Sequence, residues 1–332
     1  MIMSTIEKND APFFKVDDLV VEYTSDGQIV HAVNGVSFQL KKGRALALVG
    51  ETGAGKTTIA KTILRILPDY AAHIRNGNVL LEGEDLLKVS EKEMRHIRGN
   101  KIAMIFQDPM TALNPVMTVG KQIAEAIKLH YGVSRSESYK RAAEMLEMVD
   151  IPGDRISEYP HQFSGGMKQR VVIAMALACR PELILADEPT TALDVTIQLQ
   201  VLQLIKKLRD ELNTSMILIT HDFGVVAEAC DDVAVIYAGR IVEMGAKEDI
   251  FLHTAHPYTK GLFGSIPHIN SDVDRLSPID GLPPDPTNLP VGCYFSPRCP
   301  FAIEACKSGE VIPLTEVRPG HFCRCINYKK EE

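Results

Sequence analysis

The stretch Gly50-Glu51-Thr52-Gly53-Ala54-Gly55-Lys56-Thr57 decides the fold of this chain of 332 residues. It fits the pattern G-x-x-x-x-G-K-S/T, whose glycines let successive backbone N–H groups surround an anion. An apolar run of strand length, Ala45–Val49, precedes it, and a stretch with helical periodicity, Lys56–Leu67, follows it. Strand, glycine-rich turn and helix in this order predict a phosphate-binding loop rather than a plain turn.

Residue types within this phosphate loop indicate a nucleotide with a metal ion. Lys56 is expected to reach the β- and γ-phosphates, and the Thr57 hydroxyl to ligate Mg²⁺. The N-terminus of the following helix adds its positive dipole end. Thr58, the next residue, completes the predicted phosphate-binding set.

Apolar runs of strand length alternate with helical stretches along most of the chain. Strands are predicted at Phe14–Tyr23, His31–Leu40, Ala45–Val49, Ile102–Phe106, Leu183–Ala186, Met216–Thr220 and Val233–Tyr237. Helices are predicted at Lys56–Leu67, Val119–His130, Arg135–Val149, Gly166–Ala178 and Thr196–Leu212. This alternation predicts an α/β fold with a mainly parallel sheet core, an antiparallel part near the N-terminus and a helical subdomain over about residues 107–178.

Two carboxylates and a histidine stand where predicted strands end. Asp187 and Glu188 follow one apolar run, and His221 follows another. Ligands of open α/β sheets bind at that edge. Beside a phosphate loop, Asp187 is the expected Mg²⁺ partner, through water, and Glu188 the group that orients or deprotonates the attacking water. An acidic N-cap of the next helix is the alternative for the pair, and His221 is expected to contact the γ-phosphate.

Charge and hydropathy exclude several classes of protein. The formal net charge is −7, so free nucleic acid is not an expected partner, because backbone binding needs a basic stripe. The longest uncharged apolar run, Val171–Cys179, has nine residues, whereas a membrane-spanning helix needs about 20. No secretory signal is visible at the N-terminus. We therefore expect a cytosolic chain that does not cross a membrane by itself.

Further motifs resemble those of ABC-transporter ATPases. Ser164-Gly165-Gly166-Met167-Lys168-Gln169-Arg170 resembles the signature motif, Gln107 within Phe106–Pro109 the Q-loop, Thr191-Ala192-Leu193-Asp194 the D-loop, His221 the switch histidine and Tyr23 the aromatic residue that stacks on adenine. The resemblance covers residues 14 to about 250. It implies ATP hydrolysis, with Lys56, Gln107, Glu188 and His221 catalytic and with Thr57, Gln107 and Asp187 around Mg²⁺. It also implies that Asp194, Ser164 and the Gly165 and Gly166 amides belong to the nucleotide site, the signature residues facing ATP held by the opposite subunit.

Departures from the general signature indicate a branch of that family. Phe163 and Met167 stand where the general form has Leu and Gln. The run Phe163–Met167, the stretch Gln107–Pro115 and the stretch His256–Thr259 resemble the ATPases of dipeptide and oligopeptide importers. That resemblance implies a second ATPase subunit, related or identical, two transmembrane permease subunits and an extracytoplasmic peptide-binding protein. It also implies a peripheral location at the cytoplasmic face of the membrane.

Cysteines mark a separate module near the C-terminus. Five of the seven lie between Cys293 and Cys325, in a proline-rich part, so we predict a nucleotide-binding domain over residues 1–255 and a small irregular extension over residues 256–332. The four with spacing x5, x6 and x16, namely Cys293, Cys299, Cys306 and Cys323, are compatible with an iron–sulfur cluster, with zinc or with free thiols. Resemblance to importer ATPases with such an extension favours a 4Fe-4S cluster over zinc. Cys325 is left over, as a spare thiol or as a competitor of Cys323 for the fourth position.

Two alternative functions are worth stating. One is a soluble ABC ATPase that acts on nucleic acid or ribosomes. It lacks support because only about a hundred residues separate Thr57 from Ser164, with no long coiled coil, and because the cysteines are C-terminal. The other is a redox sensor in the cysteine module. A structural or docking role is favoured, since no second redox centre or flavin motif is visible.

Overall fold

A computed structural model describes residues 12–191, 193–265 and 279–328. Its strands are β1 Phe14–Ser25, β2 Gln28–Leu40, β3 Ala45–Val49, β4 Ala72–Leu81, β5 Glu84–Asp85, β6 Ile102–Ile105, β7 Leu183–Asp187, β8 Ser215–Thr220, β9 Asp232–Tyr237, β10 Arg240–Ala246, β11 Thr315–Arg318 and β12 His321–Cys323. Its α-helices are α1 Lys56–Ile63, α2 Glu91–Ile97, α3 Pro109–Ala112, α4 Val119–Tyr131, α5 Arg135–Met148, α6 Gly165–Leu177, α7 Val195–Leu212, α8 Phe223–Ala229, α9 Lys247–Leu252 and α10 Pro257–Gly264.

An eight-stranded sheet forms the centre of the molecule, in the order β11-β12-β10-β9-β3-β8-β7-β6. Strands β9, β3, β8, β7 and β6 run parallel. Every residue of β3, β7 and β8 is buried, which explains why these strands are continuous apolar runs instead of alternating ones. The predicted parallel core is therefore confirmed, and its strands end at one edge, beside the phosphate loop.

A four-stranded antiparallel sheet, in the order β2-β1-β4-β5, covers the N-terminal side. Strands β1 and β2 form a hairpin around Asp26 and Gly27, both with positive φ. Strand β4 was missed by sequence reasoning. Its residues Ala72–Gly77 are polar or half-exposed, so the apolar alternation that identifies a strand is confined to its last residues.

Helices α3 to α6 form a compact block between β6 and β7. Helix α6 packs against α3, α4 and α5 and also contacts β6 and α7, so the block rests on the sheet. Helix α1, by contrast, ends at Ile63 and not at the expected Leu67, because Arg65 takes a left-handed backbone with φ of 50°. No helix in the described ranges combines the length and the hydropathy that crossing a bilayer requires.

Part of the C-terminal extension joins the central sheet. Strand β12 pairs with β10, Glu243 lying opposite Cys323 and Met244 opposite Phe322. Helix α10, Pro257–Gly264, begins just after residue 255, in the part for which the sequence predicts an irregular extension. Strands from both sides of residue 255 share one sheet. The predicted domain boundary at that residue stays a prediction.

Candidate functional site

The phosphate loop forms a tight turn between β3 and α1. A Cβ on Gly50 would lie 2.1 Å from the backbone oxygen of Ile236, and one on Gly55 would lie 2.3 Å from that of Ala32 at a φ of +99°. Only glycine fits these close approaches. The buried Lys56 amine donates to the carbonyl oxygens of Gly50 at 2.7 Å and Glu51 at 2.9 Å. The lysine is thus held over the loop, where a phosphate would lie.

The end of the phosphate loop contacts Asp187, the predicted Mg²⁺ partner, and Tyr23, the predicted adenine-stacking residue. The Thr57 hydroxyl donates to Oδ1 of Asp187 at 3.1 Å. Tyr23 and Thr58 approach each other through their hydroxyl oxygens at 3.3 Å. The donor set of a hydroxyl and a carboxylate fits Mg²⁺, which prefers oxygen ligands and retains several waters. Thr57 and Asp187, two of the residues that the sequence predicts around Mg²⁺, are therefore in contact, and their role as its ligands stays a prediction.

Glu188 is the centre of a hydrogen-bonded group at the same sheet edge. Its Oε1 lies 3.0 Å from Nδ1 of His221, and its Oε2 accepts from the Gln107 amide at 2.9 Å and from the Thr191 hydroxyl at 3.0 Å. Its backbone has a φ of 45°, unusual for a glutamate. Gln107, Glu188 and His221, which the resemblance predicts to be catalytic, are therefore in contact. Thr191 was missed as a contact, although it lies within the stretch quoted as D-loop.

The surroundings of the site shift three pKa values. Burial lowers the pKa of Lys56, although Glu188, Asp187 and Glu51 oppose that effect. Burial raises the pKa of Asp187, and its hydrogen bond from Thr57 only partly offsets this. At Glu188 burial acts in the raising direction, but hydrogen bonds from His221 and Thr191 prevail and lower the pKa. Glu188 is therefore an ionised acceptor at neutral pH, as a group that activates water must be.

The signature stretch lies apart from this group. Ser164 is the N-cap of α6, its hydroxyl accepting from the Met167 N–H at 3.4 Å, and a Cβ on Gly165 would meet nothing within 4 Å. Asp194 is likewise the N-cap of α7, through the Ile197 N–H at 3.0 Å. No hydrogen bond within residues 12–191, 193–265 and 279–328 joins Ser164 to the phosphate loop. Ala192, quoted in the D-loop, lies outside the described residues.

The C-terminal extension contacts the outer side of the phosphate loop. The Glu51 N–H donates to the Tyr258 hydroxyl at 2.9 Å. The Arg298 guanidinium makes a bidentate pair with the Glu51 carboxylate, at 2.7 and 3.1 Å. Sequence reasoning missed both contacts. Tyr258 lies in the quoted stretch His256–Thr259, but no local pattern connects positions separated by more than two hundred residues.

A small cavity in the extension is lined by cysteines, together with His256, Phe295 and Ile312. The thiol-bearing residues are Cys293, Cys299, Cys306 and Cys325, and we call this space the thiol cavity. Cys323, the predicted fourth ligand, is fully buried and is not among its lining residues. Among the described residues no three His, Cys, Asp or Glu side chains are placed to hold a metal ion. The metal-cluster module is therefore not supported as predicted, and only the grouping of four thiols fits it.

Two family models match separate parts of the sequence. One, described as ABC transporter, matches residues 33–191. The other, described as oligopeptide/dipeptide transporter, C-terminal region, matches residues 242–306. The chain therefore resembles two known modules in the order that the sequence motifs predict.

Curated relatives and solved structures agree with these matches. The dipeptide transport ATP-binding protein DppD of Bacillus subtilis is 52% identical over 313 residues, with 93% of each chain covered. The oligopeptide transport ATP-binding protein OppD of the same organism is 49% identical, covering 93% of this chain and 87% of the relative. The dimeric ATP-binding cassette MJ0796, solved with ADP and Pi, superposes with a TM-score of 0.63 at 29% identity, over 70% of this chain and 98% of that one.

Proposed function

This chain belongs to the family of ATP-binding subunits of dipeptide and oligopeptide ABC transporters, and we propose that its ATP hydrolysis powers peptide import through a membrane permease. The family membership rests on relatives 46–52% identical over more than nine-tenths of the chain. The observation that supports hydrolysis is the meeting of the phosphate loop with Asp187 and the Glu188 group. The relatives favour this function over a soluble ATPase that acts on nucleic acid or ribosomes.

The chemistry is proposed to follow from positioning and charge. Lys56 and the loop amides would hold the phosphates, while Thr57, Asp187 and Gln107 would surround Mg²⁺, which neutralises charge on the phosphate oxygens when bound. Glu188, whose pKa is lowered by hydrogen bonds from His221 and Thr191 against the opposing effect of burial, would orient or deprotonate the attacking water. Tyr23 would stack on the adenine. Catalysis then depends on fixed geometry more than on covalent chemistry.

A partner subunit is proposed to complete the site. The exposed Ser164 hydroxyl and the open space around Gly165 leave the start of α6 available to a phosphate held elsewhere. We infer that Ser164, Gly165, Gly166 and Asp194 act on ATP bound to a second ATPase subunit, related or identical. The assembly would include two permease subunits and receive peptide from an extracytoplasmic binding protein. The chain would lie peripherally at the cytoplasmic face of the membrane.

The decisive test is Glu188→Gln in the complex purified with its permease. We expect ATP binding to persist while hydrolysis and peptide uptake into liposomes fall by roughly 100-fold or more, because the amide cannot accept a proton. Glu182→Gln is the matched control. Glu182 lies just before the first residue of β7, whereas Glu188 follows its last residue. Glu182 pairs with Lys42 at 2.9 Å and does not belong to the Glu188 group. Hydrolysis at the wild-type rate in Glu188→Gln would refute the assignment of Glu188.

An iron–sulfur cluster in the extension is a second, separate proposal. Four thiolates are the usual ligand set of a 4Fe-4S cluster, and four thiols line the thiol cavity. This lining favours Cys325 over Cys323 as the fourth ligand, beside Cys293, Cys299 and Cys306. Zinc, the alternative, needs four donors within about 2.3 Å of one point. A structural or docking role is proposed for the cluster.

Metal analysis of protein purified without oxygen tests that proposal. A brown sample with about four irons per chain supports the cluster, and one zinc per chain supports the alternative. Cys325→Ser is expected to lose the metal, whereas Cys323→Ser is expected to keep it. The opposite result would restore the assignment of Cys323, and colourless, metal-free protein would leave the cysteines as thiols.

A further inference from the structure

Glu51, the second residue of the phosphate loop, is held by the extension through two of its polar groups. Its N–H donates to Tyr258, and its two carboxylate oxygens accept from Arg298. Its carbonyl oxygen accepts from the Lys56 amine at 2.9 Å. Glu51 is therefore in contact both with the extension and with Lys56, whose amine also donates to the Gly50 carbonyl at 2.7 Å.

Arg298 lies in a buried site where its guanidinium donates to acceptors on four residues. Its side chain is only 5% exposed. Besides Glu51, its donors reach the Asp280 carbonyl at 3.1 Å, the Tyr237 hydroxyl at 3.3 Å and the Ile279 carbonyl at 3.4 Å. A bidentate pair fixes orientation as well as charge, which a lysine ammonium cannot do.

An unpaired carboxylate at position 51 would oppose nucleotide binding. Glu51 is one of the three carboxylates whose charge acts on Lys56, so its field reaches the position where the phosphates would lie. At an effective dielectric constant of about 20, a unit charge about 10 Å away changes a binding constant roughly tenfold. The pair with Arg298 neutralises that charge within the protein.

We propose that Arg298 is a positioning residue of the nucleotide site, which neutralises and orients Glu51 so that the phosphate loop accepts ATP. Tyr258 assists by holding the Glu51 N–H. Arg298 directly precedes Cys299, which lines the thiol cavity, so the contact with the phosphate loop lies next to that cavity in the sequence. The proposal rests on the nucleotide site described under the proposed function.

The test measures ATP affinity of the full-length chain for Arg298→Met, Glu51→Gln and the double variant. Arg298→Met is expected to weaken ATP binding roughly tenfold at low salt, and less at high salt, because the freed carboxylate is screened. Adding Glu51→Gln to Arg298→Met removes the unpaired carboxylate, so the double variant should recover part of the affinity that Arg298→Met loses. Arg298→Lys, which keeps the charge but not the fork, should fall between. Unchanged affinity in Arg298→Met, or no rescue in the double variant, would overturn the proposal.

Arg324→Met is the matched control for mere loosening of the extension. Arg324 also belongs to the extension, and it donates to the Ile241 and Ile312 carbonyls without contacting the loop. It should bind ATP like wild type, and a loss equal to that of Arg298→Met would assign the effect to folding and overturn the proposal. Lys56→Ala separates the two proposals. If Lys56→Ala binds ATP normally, the proposed nucleotide site is wrong. If Lys56→Ala loses ATP binding while Arg298→Met keeps it, only the role proposed for Arg298 is wrong.

Discussion

At the scale of single residues, the site is made by side chains that stand at the ends of buried strands. Asp187 ends β7 and Glu188 follows it, while His221 follows β8. Each was predicted because it follows a continuous apolar run, and ligands of open α/β sheets bind at the edge where such strands end. What the sequence did not show is the hydrogen bonding among them, above all the contacts of His221 and Thr191 with the Glu188 carboxylate.

His221→Ala tests that electrostatic role. Removing the imidazole takes away a hydrogen bond that lowers the pKa of Glu188, so this pKa rises and the carboxylate is protonated at a higher pH. We expect a slower ATPase whose acid limb moves to higher pH, measured as the pH profile of kcat in the assembled transporter. His96→Ala, on the exposed face of α2, is the control. A profile that drops in height without moving would show that His221 does not tune Glu188.

At the scale of elements, the join between extension and core depends on one buried carboxylate. Glu243 of β10 is fully buried and accepts from the Ala255 and His256 N–H groups, at 2.6 and 3.0 Å. Its Oε1 also lies 2.8 Å from Nε2 of the buried His321 on β12. The same side chain therefore fixes the start of α10 and the pairing of β12. Burial also lowers the pKa of His256 to about 4, so this imidazole stays neutral.

Glu243→Ala is expected to cost about 3 kcal/mol or more in the free energy of unfolding, because three buried donors lose their acceptor. Chemical denaturation measures the loss, and limited proteolysis should cut the extension first. Glu304→Ala is the control, since its side chain is 97% exposed. Equal stability in the two variants would show that Glu243 does not hold the extension.

At the scale of the whole molecule, the extension is part of the ATPase as much as an addition to it. It supplies two strands to the central sheet and two side chains to the phosphate loop. Its composition is distinct, which is why the sequence predicts a separate module. Tyr237, Tyr258 and Phe295 nevertheless pack their rings within 4.6 to 5.4 Å of each other, across that predicted boundary.

The parallel core, the phosphate loop and the candidate catalytic residues can be predicted from the sequence, because strand burial and loop chemistry depend on consecutive residues. The side chains that contact the site from distant segments can be found only in the folded chain. The ion pair of Arg298 with Glu51 joins segments that are far apart in the sequence. The packing of the extension likewise places Cys325, and not Cys323, at the thiol cavity. Periodicity and spacing report on neighbours along the chain, whereas these partners are chosen by how the sheets and the extension pack together.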